Sequence, residues 1–327
     1  MDRRRFHLAL AATAAAFAAA PHGAALAQPW PDKPVKLVLS QPAGSGPDTI
    51  ARLVADPLAR KWGQAIVVDN RPGGQNTIGA QAAARSPADG TTFYFGTLAA
   101  LVTNAYLFKN LPYDPRKDFV PVGMVGKVPF VLAVNAASPI RTLADFMAQA
   151  KANPAKLTLA DEGPKTFGGM VARVMAQQAG IQVNHVPYVS VAAGVNDTVG
   201  GQTEAIMSDA PSAAAMIKAG RLRPIAVTTA RRVAGWDSVP PLADTIPGFD
   251  YAGWLAIVAP AGTPAAAVQR FNRDLDAVLT DKDMAARIAA VGPVTEGAGT
   301  IEQTGAFLQA EHARWARIVK ELGVLPE

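Results

Sequence analysis

With 327 residues the chain is long enough for two domains with their own cores, and the absence of cysteine excludes disulfides, thiol catalysis and a lipid-modified N-terminal cysteine. Its 31 lysines and arginines against 26 aspartates and glutamates leave a net charge of +5, too little for a nucleic-acid surface.

Residues 1–27 fall outside those domains. Arg3, Arg4 and Arg5 precede an apolar run from Leu8 to Ala20, and Ala25-Leu26-Ala27 has the small-x-small pattern of a signal peptidase site. The run is too short to span a bilayer comfortably and ends in Pro21 and Gly23. It reads as an export signal, by the Sec or the twin-arginine route, with the mature chain starting at Gln28. Removing it lowers the net charge by two. The exported chain is expected free in the periplasm, since no later stretch is apolar enough to cross a membrane.

Val35 to Ser40 is a short apolar run of strand length. Gln41, Pro42, Ala43, Gly44, Ser45 and Gly46 supply turn chemistry, and Pro47 and Asp48 open a helical pattern. A loop so placed presents backbone amides at the positive end of a helix dipole, a cradle for an anion or polar oxygen. The third glycine of a dinucleotide fingerprint is replaced by Thr49, and the Gly-Lys-Ser/Thr of a Walker loop is absent.

Ala65 to Asp69 is the next strand, and Asn76 is placed to cap a helix that ends by Arg85. Thr92 to Phe95 is a third strand, delivering a second small-residue loop at Gly96, Thr97, Leu98 and Ala99. Two strand candidates, Val120 to Val125 and Val128 to Asn135, have little between them, which suits a crossing into a second domain. Thr142 with Asp145 resembles a capping box opening a helix through Lys151.

The strand–loop–helix unit then recurs. Leu157 to Ala160 leads through Asp161, Glu162, Lys165 and Thr166 into the helix of Met170 and Val174. Gln182 to Val186 leads through Tyr188, and Ala205 to Met207 through Ser208 and Asp209. Strands at Pro224 to Thr229 and Tyr251 to Val258 follow, where the chain can return to the first domain. Helices at Pro264 to Leu279, Asp283 to Ala290 and Ile301 to Leu322 close it. This alternation predicts an α/β protein with mostly parallel sheets flanked by helices, and ligands collect at the C-terminal strand ends of such sheets.

The catalytic inventory is thin. Beyond the signal only His185 and His312 remain, they share no metal-ligand spacing, and no H-E-x-x-H, G-x-S-x-G or S-x-x-K pattern occurs, so neither cofactor nor metal is called for. His312, among Glu311 and Arg314 on the last helix, reads as a surface residue. His185 ends a strand beside a candidate ligand loop, where it is either satisfied by the fold or a ligand contact. Asp161 and Glu162 are adjacent, which on a strand points them to opposite faces and makes them a poor acid–base pair. Asp209 is a ligand contact or a helix cap, and Tyr188 offers a ligand its phenol or its ring face, or packs on the Pro187 turn. Lys165 and Arg71 are read as ligand contacts or solvated groups.

Val68-Asp69-Asn70-Arg71-Pro72-Gly73, Leu111-Pro112-Tyr113-Asp114-Pro115 with Lys117-Asp118-Phe119, His185-Val186-Pro187-Tyr188, Ile217-Lys218-Ala219-Gly220 and Ala259-Pro260-Ala261-Gly262-Thr263-Pro264 run through the mature chain in order. In these the sequence resembles the tripartite tricarboxylate transporter substrate-binding receptors, also called Bug proteins. The resemblance implies a periplasmic-binding-protein (Venus flytrap, type II-like) fold, with 28–127 and 252–327 as one domain and 128–251 as the other. It further implies a small carboxylate held between them by loops from both, and delivery of that solute by a monomer to the membrane subunits of such a transporter. A receptor that hands its ligand to a membrane sensor kinase would use the same cleft, and a periplasmic enzyme is the remaining alternative. The chain departs from the family pattern at Gln41, where an aromatic is usual, and at Val189-Ser190-Val191, where Lys-Gly-Gly is usual. Asp161, Glu162 and Lys165 also put charge into a loop that is usually neutral.

Overall fold

The computed structural model describes residues 30–233 and 235–326; the export-signal reading and its cleavage site lie outside them. Nine strands form one continuous mixed sheet that curls into two parts. The first part has the order β2 (Ile66–Asn70), β1 (Val35–Leu39), β3 (Thr92–Thr97), β9 (Ala252–Pro260) and the first half of β4 (Phe119–Asn135). Strands β1, β2 and β3 are parallel, while β9 runs antiparallel to both β3 and β4.

In the second part β5 (Thr158–Asp161) lies parallel to β6 (Asn184–Pro187) and β7 (Ala205–Asp209). The second half of β4 runs antiparallel to β7 on one side and to β8 (Leu222–Val227) on the other. The expected α/β layers are present, but the sheet is mixed rather than mostly parallel: β1–β3 and β5–β7 form parallel groups that reach its outer edges, and the pairings of β4, β8 and β9 are antiparallel.

Strand β4 corrects the sequence reading of two strands. It is one ladder of 17 residues, pairing with β9 up to Pro129 and with β7 from Phe130. Gly126 and Lys127, read as a gap, pair with Leu255 and Trp254, and a register shift between Met124 and Gly126 takes up Val125 as the extra residue.

The helices start and stop where local chemistry dictates. In α1 (Gly46–Trp62), Ser45 caps the first turn and Gly63, at φ +65°, closes the last. Helix α2 (Thr77–Ala84) follows a loop in which Gln75 and Asn76 are left-handed; Asn76 makes no capping bond, and its Oδ1 instead accepts from Gln41. After β3 the chain coils through 99–103 into the single turn of α3 (Asn104–Leu107). Helix α4 (Leu143–Ala152) carries the full capping box of Thr142 and Asp145. Then come α5 (Phe167–Ala179), α6 (Val191–Gly200) and α7 (Ala210–Lys218). Beyond β9 lie α8 (Ala265–Leu279), α9 (Lys282–Ala289) and α10 (Ile301–Glu321).

Each sheet with its helices forms a lobe. Val35, Leu37, Phe93, Phe95, Leu255 and Ile257 face α1 and α8, where Trp30, Trp62 and Phe271 pack edge-on or tilted at 5–6 Å, burying the apolar side of the first sheet. The other core runs through both lobes. Phe130 and Phe167 pack at 4.8 Å, and Trp315 of α10 reaches Phe167 at 5.7 Å while Phe307 of the same helix packs on Trp254. Thus β4, β9 and α10 tie the lobes together. Among the described residues no helix is long and apolar enough to cross a membrane.

Candidate binding cleft

The C-terminal ends of β1 and β3 in the first lobe and of β5 and β7 in the second carry the loops singled out in the sequence, and the lobes meet there. The first loop is internally satisfied. The Gly44 amide donates to Asp48 Oδ2 (2.8 Å), Ser45 N to Pro42 O (3.2 Å), Asp48 N to Ser45 Oγ (3.4 Å) and Gly46 N to Ser212 Oγ of the other lobe (3.2 Å). The expectation that the amides of residues 44–46 wait for an anion is therefore corrected, because two side chains and the Pro42 carbonyl take them. Burial of Asp48 works against its charge, but bonds from Arg52, Gly44 and Asn70 outweigh it and hold its pKa below the usual carboxylate value. Pro42, Ala43 and Gly44 themselves are exposed.

The first lobe also holds a set of unsatisfied side-chain oxygens. Gln41 Oε1, Thr97 Oγ1, Thr103 Oγ1 and Asn104 Oδ1 are buried and meet no hydrogen-bond partner among the described residues. Groups of this kind cost about 1–3 kcal/mol each until they are satisfied, and they are rarely left so without a purpose. They are held from behind: Gln41 Nε2 donates to Asn76 Oδ1 (2.9 Å) and Asn104 Nδ2 to Gln75 O (2.9 Å). The sequence reading found Gln41 and Thr97 and missed Thr103, Asn104 and the left-handed pair behind them; polar residues inside the apolar stretch from Leu98 to Leu107 were the available signal. Gly96, Leu98 and Ala99 are buried backbone support, Gly96 lying against Tyr94 and Leu101.

The second lobe contributes carboxylates. Asp161 is fully enclosed, accepting from Gly163 N (2.7 Å), from His185 Nδ1 (2.7 Å) and from Arg173 Nη1 (3.3 Å). His185 is thus satisfied by the fold. Tyr188 donates its hydroxyl to Asp197 Oδ2 (2.8 Å), so its phenol proton is committed within the second lobe. Thr166 caps α5 through Gly169 N (3.2 Å), Asp209 caps α7 through Ser212 N (2.9 Å), and the Ser208 hydroxyl donates to Asp209 O (2.9 Å).

Glu162 differs from its neighbours in having no hydrogen-bond partner among the described residues. Its Oε2 lies 3.0 Å from where a Cβ on Gly168 would stand, at the start of α5. Burial, then Asp209 and Asp161, push its pKa up to about 8, and burial also raises that of Asp209. Lys165 is buried rather than solvated, its ammonium 5.4 Å from the Phe108 ring centroid of the first lobe; burial and then Lys109 lower its pKa. Arg71 is a surface residue paired with Asp69 (2.9 Å). His312 corrects the surface reading: it is buried, with Nδ1 3.2 Å from the Tyr106 hydroxyl, and burial lowers its pKa.

Two lobes sharing a strand, with polar loops meeting at their C-terminal strand ends, define a ligand-binding clamshell. The sequence profile of TctC, the tripartite tricarboxylate transporter family receptor, matches residues 50–324, and the chain belongs to that family, whose members are periplasmic solute receptors rather than enzymes. A UPF0065 protein of Bordetella bronchiseptica is 34% identical over 93% of this chain and 90% of its own length. Protein BugT of Bordetella pertussis is 32% identical over 91% of each. The solved structure of R. palustris Rpa4515 with adipate superposes with a TM-score of 0.87 at 31% identity, covering 91% of this chain and all of that one.

Proposed function

We propose that the protein captures a small organic acid between its lobes and delivers it to the membrane subunits of a tripartite tricarboxylate-type transporter. The observation that carries this reading is the set of buried side-chain oxygens on Gln41 and Thr97 at the ends of β1 and β3 and on Thr103 and Asn104 in the coil that follows β3, which no protein group satisfies among the described residues. A ligand and its water shell would satisfy them from the first domain (28–127 with 252–327), while Glu162 meets the far end of the ligand from the second (128–251). The adipate in the R. palustris neighbour supports an acid of this class.

Near neutral pH a Glu162 carboxyl with so high a pKa is protonated and donates a hydrogen bond, so it grips an oxygen of the ligand without repelling it. The signal-directed route to the periplasm belongs to the same proposal. Calorimetry with adipate, malate, glutamate and benzoate tests the capture: a saturable heat with one of them, and recovery of that compound chemically unchanged, supports a receptor. Turnover of a bound compound, or binding to none of the acids, overturns it.

A further inference from the structure

The first turn of α7 belongs to the second lobe yet is seated in the first. Gly46, at the start of α1, gives its amide to Ser212 Oγ at 3.2 Å. A Cβ placed on Gly46 would stand 2.2 Å from Asp209 Oδ1, 2.9 Å from Pro211 Cβ and 3.2 Å from Asp209 Cγ, so its three nearest neighbours are all atoms of the other lobe. On the far side of the same turn, a Cβ on Gly292 would stand 2.5 Å from Ala210 Cβ and 3.3 Å from its carbonyl carbon. Two glycines of the first lobe, far apart in sequence, thus flank one turn of the second, and Asp209 and Ala210 are buried there. The Asp209 carboxyl group caps α7 while lying against Gly46 in the first turn of α1.

We propose that this turn is a plug, that Gly46 and Gly292 form its socket, and that seating it is the contact that holds the lobes closed on a ligand. The proposal rests on the capture reading above and adds the positioning residues through which closure is made.

Gly46→Ala tests it. The position lies outside the left-handed region, so alanine fits the helix and obstructs only the other lobe. Gly63→Ala, at φ +65° with open space around it, is the control that strains α1 without reaching the second lobe. With whichever of adipate, malate, glutamate and benzoate the wild type binds most tightly, Gly46→Ala is expected to weaken binding at least about tenfold. Dissociation should be faster and the bound radius of gyration larger, with the ligand-free melting temperature kept. Gly63→Ala is expected to lower the melting temperature and keep the affinity. Wild-type affinity and compaction in Gly46→Ala overturn the plug. If the wild type binds none of the four acids, the capture reading fails on its own, and the minor closed population of the ligand-free protein, read from distances between spin labels placed one on each lobe, decides the plug: a smaller closed fraction in Gly46→Ala supports it, and an equal fraction overturns it.

Discussion

Thr97 carries a polar atom that the fold leaves unserved, and that has a cost and a use. Its buried hydroxyl has no partner among the described residues. Replacing it by valine removes the unsatisfied oxygen at nearly constant volume. Thr97→Val should therefore raise the ligand-free melting temperature while weakening ligand binding by about 0.5–1.5 kcal/mol, the net scale of one hydrogen bond. Paired thermal melts and calorimetry check this, and a variant that loses stability instead would place the hydroxyl in the protein's own network.

Glu162 makes the second residue-level prediction. Its folded pKa of about 8 stands above the ordinary 4.5, so between those values the unfolded chain has released a proton that the folded chain keeps. Stability from this group is therefore full below the lower value and lost as pH rises through the window. Melts of wild type and Glu162→Gln across pH 4 to 9 should show the wild type declining relative to the variant. The affinity of the wild type for an acid should also fall above about pH 8, as Glu162 ionises, and Glu162→Gln should not share that fall. Parallel pH profiles of the two proteins would contradict the assignment.

At the scale of elements, the starts of helices follow from short-range bonds. The Thr142 hydroxyl accepts from Asp145 N (3.1 Å), and Asp145 Oδ2 accepts from Thr142 N (3.0 Å) and Arg141 N (2.9 Å). Thr142→Ala should cost about 0.5–2 kcal/mol of stability in denaturant titrations and leave ligand affinity unchanged, because α4 sits away from the cleft. The strands are less local. β4 reads as two pieces because Gly126 and Lys127 look like a break, yet both pair with β9 and a bulge beside them takes up Val125. In the loop after β2, Asn76 has the residue type of a cap, but Gln41, distant in sequence, binds its side-chain oxygen.

For the whole molecule, the lobes are joined at β4 between Pro129 and Phe130, at the start of β9, and along α10. Three connections placed together allow a rotation while the cores of both lobes stay packed. Small-angle scattering with and without the bound acid should show a smaller radius of gyration in the complex. Unchanged curves at saturation would mean that the lobes do not move against each other.

The sequence alone determined the order of the elements, most of their ends, the α/β class and the loops at which the lobes meet. Those features are written in local signals: apolar runs of strand length, Pro47 at the opening of a helix, and Thr142 with Asp145 as a capping box. It marked Gln41 and Thr97 for the same reason, since each stands at the end of a strand. Only the tertiary structure decided which polar groups are spent and which are free for a ligand. The amides of residues 44–46 looked open from the sequence and are taken by Asp48, Pro42 and Ser212. His312 looked exposed among charged neighbours, but Tyr106 covers it, and Glu311 beside it turns inward to Trp254 Nε1 at 2.8 Å. Gly46 looked like one more turn residue, and its need for a hydrogen in place of a side chain comes from Asp209 and Pro211. Whether a polar atom is satisfied, or a glycine replaceable, depends on groups brought close from far along the chain, 166 residues away in the bond from Gly46 to Ser212, and no local pattern carries that information.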